Sequence, residues 1–203
     1  MGICFEVDNL LGSRELVHPR FRVAKTRVDW QTERRAVILA ICQHFGWKWT
    51  PWEEPSERHG TEGNCCSKSR YDWLRALAIA IATDDATSTA EELIAPNIVA
   101  NRFRHLTNRN DSQYTAVYIP TDFEQPFQID TAQWETCTIA SSVGLIRELR
   151  ELYPLLQLEQ RKQDKFVSRY SEEKWQYLYE LHGEILACAE NSVSVNLPML
   201  LTW

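Results

Sequence analysis

The sequence predicts an α+β fold, predominantly helical, around a small and mostly antiparallel sheet. Three observations predict it. Residues 114–119, YTAVYI, carry apolar side chains on both faces of an extended strand, which suits an inner position. The stretch SSVGLIRELRELYPLL then places Leu145, Ile146, Leu149 and Leu152 at helical period. Most of the remaining apolar residues also recur at helical spacing and need such a platform to pack on.

Taken in order, Ile3, Phe5 and Val7 alternate with Cys4 and Glu6, the period of a half-buried strand. Residues 21–28 alternate in part and read as an edge strand at best. Asp29 is placed to cap a helix over 31–45, striped by Val37, Ile38, Ile41 and Phe45 and stopped by Gly46. Residues 53–69 are polar and aperiodic, a long loop. Ser69 and Asp72 have capping-box spacing ahead of a helix over 70–83 that is apolar on most sides. Thr89 and Glu92 repeat that spacing, and Pro96 suits the first position of a helix reaching Thr107. After the central strand, Phe127 and Ile129 offer another. Ser142 is expected to cap the next helix and Pro154 to end it. The last long helix starts at Ser171, with Trp175, Leu178, His182 and Ile185 on one stripe. Val193, Val195 and Leu197 alternate, predicting a final strand beside the first.

At 203 residues the chain fits a single globular domain, 1–203, able to bury a sizeable core. The formal net charge of −6 argues against nucleic acid as the main partner. The start shows no basic region leading into an apolar run, and the longest apolar run is too short to span a bilayer. Six cysteines in a chain of this size make no disulfide framework, so a reduced, cytoplasmic protein is expected. Cys4, Cys42, Cys137 and Cys188 read as small core residues.

The chemistry-bearing residues are few. His105, Asp111 and Asp122 flank the central strand; a carboxylate beside a histidine serves as general base or holds a divalent cation. Against that, aspartates are common in turns because they bond nearby backbone amides. His59, Cys65 and Cys66 lack the paired spacing of a zinc site. No nucleophile elbow and no glycine-rich phosphate loop occurs, so no metal and no cofactor is expected. The run WKWTPW brings Trp47, Trp49 and Trp52 together. Tryptophan is highly buried on average, which favours a lid over the helices. The competing reading is a docking patch, in which these rings and the adjacent Glu53 and Glu54 meet a partner.

HLTNRNDSQYTAVYIPTDFEQPF followed by SSVGLIRELRELYPLL resembles a pattern found in uncharacterised bacterial cytosolic proteins. Their pattern has a Tyr-x-Pro-x-Asp-Phe strand end and a Ser-Ser-x-x-Leu-x-x-Glu-Leu helix. The matching residues are His105, Asp111, Tyr118, Pro120, Asp122, Phe123, Ser141, Ser142, Leu145, Glu148 and Leu149. The resemblance covers about a quarter of the chain and implies a fold, with no activity attached.

The functional expectation is therefore a non-enzymatic protein-interaction module of inhibitor, immunity or adaptor type in the bacterial cytosol. Its partner would be another protein, with no membrane and nucleic acid set aside. The alternative is a small hydrolase or metal-assisted enzyme using His105, Asp111 and Asp122.

Overall fold

A computed structural model describes residues 2–7, 27–52, 65–94, 100–107, 115–131, 135–157, 166 and 170–202. Their elements run β1 (Gly2–Val7), α1 (Arg27–Phe45), β2 (Cys65–Ser67), α2 (Lys68–Thr83), α3 (Ala90–Leu93), α4 (Arg104–Thr107), β3 (Thr115–Ile119), β4 (Phe127–Thr131), β5 (Glu135–Ser141), α5 (Ser142–Leu156), α6 (Glu172–Ser194) and β6 (Met199–Thr202). The expected α+β class holds. The sheet has the order β2-β1-β6-β3-β5-β4 and is mixed: β3 and β5 run parallel, while the other four ladders are antiparallel.

The inner strand β3 explains why the fold has layers. Ala116 and Tyr118 face a large core with Phe5, Met199, Leu201, Leu145, Leu149 and Trp175. Val117 and Ile119 face a smaller core with Val37, Ile41, Trp52, Cys137, Ile139 and Leu200. Strand side chains alternate between faces, so one all-apolar strand serves both layers. The large core is closed by α2, α5 and α6, the small one by α1 and the turn around Trp52. Fully burying each such large apolar side chain contributes about 1.5–3 kcal/mol.

Three helices end in the same way. At Gly46 (φ 68°), Asp84 (φ 60°) and Asn196 (φ 53°) the backbone turns left-handed. Trp47, Asp85 and Leu197 then donate back to the Cys42, Ala80 and Ser192 carbonyls at 2.8, 2.9 and 3.0 Å. Gly46 was legible as a stop, whereas Asp84 and Asn196 are the less common residues that tolerate this conformation.

Several boundaries differ from expectation. α1 begins at Arg27, so Asp29 lies inside its first turn. α2 is capped by Ser67, whose hydroxyl accepts from the Arg70 N–H; Asp72 instead pairs with Lys68 and Arg75. The Thr89–Glu92 capping box forms, with both reciprocal bonds. Pro154 lies within the last turn of α5 rather than beyond it, and the cap is Ser141, not Ser142. β5 had no sequence expectation at all. Val193 belongs to α6 and Val195 is its C-cap, so the final strand starts only after Pro198, pairing with β1 as expected. Cys42 and Cys137 are buried thiols, but Cys4 is disulfide-bonded, which departs from the fully reduced chain expected. No helix among the described residues is long and apolar enough to cross a membrane.

Candidate functional site

The fold brings most of the pattern residues of the central stretch together, at the junction of α4, β3, β5 and α5. Glu148, buried on α5, accepts the His105 and Leu106 backbone N–H groups, each at 2.8 Å. One carboxylate thus satisfies the otherwise unpaired donors at the start of α4. The His105 imidazole is also buried, and its Nδ1 accepts the Ser141 N–H at 3.1 Å, which leaves the ring proton on Nε2. Gly144 makes room for it: a Cβ there would lie 2.2–2.3 Å from the ring. Tyr118 donates its hydroxyl to the His105 carbonyl at 3.1 Å. Ser141 donates to the Thr121 carbonyl and accepts from the Gly144 N–H, capping α5.

Charge in this cluster follows from burial. Burial, with Arg147 adding to it, lowers His105 to about 4, although the Phe123 backbone and Asp122 act the other way. Burial raises Glu148 to about 7 against the opposing pull of the backbone N–H groups it accepts. Burial likewise holds Tyr118 well above the ordinary phenol value.

Of the three residues named in the hydrolase alternative, His105 and Asp122 are described. His105 is neutral, enclosed and committed to the fold. Asp122 is exposed and held by Arg147 through two parallel 2.8 Å bonds. Asp111 lies outside the described residues. Among the described residues, no group of three or more His, Cys, Asp or Glu side chains is placed to hold a metal ion. Sequence reading placed Glu148 only within a pattern; its spacing to α4, 43 residues away, carried no signal.

The tryptophan segment divides by exposure. Trp52 is 2% exposed and packs into the small core, Trp47 is half-buried against Phe45, and Trp49 is 76% exposed. Glu53 and Glu54 lie outside the described residues.

A surface feature not anticipated from the apolar stripe is the outer face of α6. Glu172, Glu173, Glu180 and Glu190 are exposed and Glu184 half-exposed, with Lys174 the helix's one Lys or Arg. Lys174 lies 4.6 Å from the Trp73 ring, and Arg70 caps the Tyr177 ring at 3.9 Å, so both cations are engaged on aromatic faces. Glu173 accepts from the Tyr177 hydroxyl at 2.8 Å and Glu180 from the Gln176 amide at 3.0 Å, both neutral donors. Glu190 pairs with Arg150 at 2.9 Å. On α5, by contrast, Glu151 is matched by Arg102, just as Asp122 is by Arg147. Negative charge thus collects along α6. A second acidic group, Asp84, Asp85, Glu91 and Glu92, follows α2. There Asp85 is held well below the ordinary carboxyl value, chiefly by the Ser88 hydroxyl and then by the Ser88 and Thr87 N–H groups.

Comparison found no match among curated proteins or among solved structures. A family model described as "Putative DNA-mimic protein" matches residues 22–200. That match corrects the expected role: the description still points to protein interaction, but through imitation of DNA rather than of the adaptor type. It also corrects the partner expectation, which set nucleic acid aside on net charge alone: the family's description makes DNA the thing imitated. A match over residues 22–200 of a 203-residue chain leaves one conclusion: this protein belongs to the family described as putative DNA-mimic proteins.

Proposed function

We propose that this chain occupies the DNA-contacting surface of a DNA-binding protein by presenting the carboxylates of α6 where DNA would present phosphates. The observation that carries the reading, beyond family membership, is the imbalance on α6: five glutamates against one lysine, with that lysine and the neighbouring Arg70 turned onto aromatic rings. DNA-binding surfaces gather Lys and Arg to meet phosphates, and such surfaces attract any rigid array of anions. A helix held by Trp175, Leu178, Leu181, His182 and Ile185 is such an array. Preorganisation matters because carboxylates already fixed in place lose little freedom on docking.

The buried cluster supports the reading indirectly. His105, Glu148, Ser141 and Tyr118 join α4 and α5 to the sheet, and α6 packs on α5, with His182 Nε2 hydrogen-bonded to the Leu149 carbonyl at 2.7 Å. The pattern residues of the central stretch therefore build the scaffold beneath the acidic helix.

The test is displacement. DNA-binding proteins from a host extract are held on duplex-DNA cellulose, and the full chain is added in steps. Release of a discrete set of these proteins is expected, with release lost in the Glu172→Gln/Glu180→Gln/Glu184→Gln variant. Retention of every DNA-bound protein at saturating chain would refute the reading.

A further inference from the structure

The carboxylates of α6 are sparser than the charges they stand for. Duplex DNA carries a charge about every 3.4 Å along each strand. The five glutamates from Glu172 to Glu190 span about 27 Å at ~1.5 Å per residue, or about one per 7 Å, and Glu190 is already paired with Arg150. A protein exchanging DNA for this helix gives up electrostatic attraction unless another kind of contact replaces it.

The end of the same helix offers one. Val193 and Val195, just past Glu190, are 38% and 49% exposed. The Asn196 side-chain amide donates to the Pro51 carbonyl at 3.0 Å, joining this turn to the one that carries Trp49. Trp49 stands out from a turn fixed on both sides. Trp47 stacks on Phe45 at 4.3 Å, Trp52 is buried, and the Thr50 hydroxyl donates to the Trp52 carbonyl at 2.9 Å. The exposed ring is thus held on a rigid base near the C-terminal end of the acidic helix, with Lys48 Nζ 6.0 Å from its centroid.

We infer that Trp49, Pro51, Val193 and Val195 form a second contact on the same DNA-binding protein that meets α6. They would take the apolar or aromatic groups with which that protein touches bases. Such proteins place apolar side chains against thymine methyl groups and stack aromatic rings on bases, beside the cations that meet phosphates. A flat indole at the end of a row of carboxylates has that same order of chemistry. This inference rests on the DNA-mimic reading and adds to it a contact insensitive to salt.

The experiment measures release of proteins from duplex-DNA cellulose by the full chain at about 50 and about 200 mM salt, a range over which phosphate contacts weaken steeply. It compares wild type with Trp49→Ala, Val195→Ser and Glu180→Gln/Glu184→Gln. Both apolar variants alter exposed positions, and urea melts check that each still folds. Trp49→Ala is expected to require about thirtyfold more chain at both salts, the loss that truncating a tryptophan hot spot brings. Val195→Ser should lose less, also equally at both salts, whereas the glutamate variant should lose more at low salt than at high. Folded apolar variants as potent as wild type would overturn the second contact while leaving the DNA-mimic reading intact. So would a wild-type dimer that either variant splits without changing release. No release by wild type at either salt would overturn the DNA-mimic reading, and the second contact with it.

Discussion

His105 and Glu148 touch each other through the backbone and titrate in opposite senses, so their contributions to stability should oppose one another over a defined pH window. Glu148 is raised from 4.5 to about 7, so its contribution is fully present below pH 4.5 and is lost as pH rises through 7. His105 is lowered from 6.5 to about 4, so its contribution is present above pH 6.5 and is lost as pH falls through 4. Each shift corresponds to roughly 3 kcal/mol at ~1.4 kcal/mol per unit. In the window where both ranges overlap, pH 4.5 to 6.5, folding leaves the imidazole neutral and the carboxyl protonated, and the two slopes largely cancel. Removing either group exposes the other. Glu148→Gln should gain stability relative to wild type as pH rises across that window, by up to roughly 3 kcal/mol. His105→Gln should lose a similar amount over the same range. Both variants also carry a fixed cost from imperfect hydrogen bonding, about 1–3 kcal/mol, which shifts the curves without tilting them. The assay is urea unfolding at four pH values from 4.5 to 7.5, read as differences from wild type. His182, lowered by burial, is present in all three proteins and drops out of the differences. Stability curves parallel to wild type in both variants would refute the assignment of these protonation states.

Two further substitutions test the scaffold. Gly144→Ala drives a methyl into the His105 ring, where the nearest atoms would be 2.2–2.3 Å away; expelling the buried ring should cost about 3 kcal/mol or more, measured by urea unfolding. A cost near zero would mean that the imidazole does not rest on α5. Trp52→Ala should cost about 3–5 kcal/mol because the ring is buried in the small core, while Trp49→Ala should stay within about 0.5 kcal/mol. Equal effects from the two would contradict the division of the tryptophans.

The sequence showed the fold where its signal is local. The two-faced strand Thr115–Ile119 was legible because both alternating sets are apolar, and it does feed two cores. Gly46 and the Thr89–Glu92 pair were legible because their geometry involves residues a few positions apart. β5 escaped because Thr136 and Thr138 break its apolar run, although β-branched residues suit strands. The end of α6 escaped because three alternating apolar residues imitate a strand, while the actual stop is Asn196 in a conformation that glycine more often supplies. His105 looked catalytic for want of its partners: Glu148 and Ser141 lie 43 and 36 residues away, and no spacing announces them. The net charge of −6 could not point to α6 because a sum over the chain carries no position in the fold.

The central claim is that this protein and DNA compete for one surface. The most direct measurement takes the main species released from duplex-DNA cellulose, purified, and titrates it with a labelled duplex at fixed concentrations of the full chain. The account predicts that the apparent Kd for the duplex rises in proportion to the chain concentration, with an unchanged plateau and no ternary complex. A lowered plateau at constant Kd, or a ternary complex of chain, protein and duplex, would contradict it.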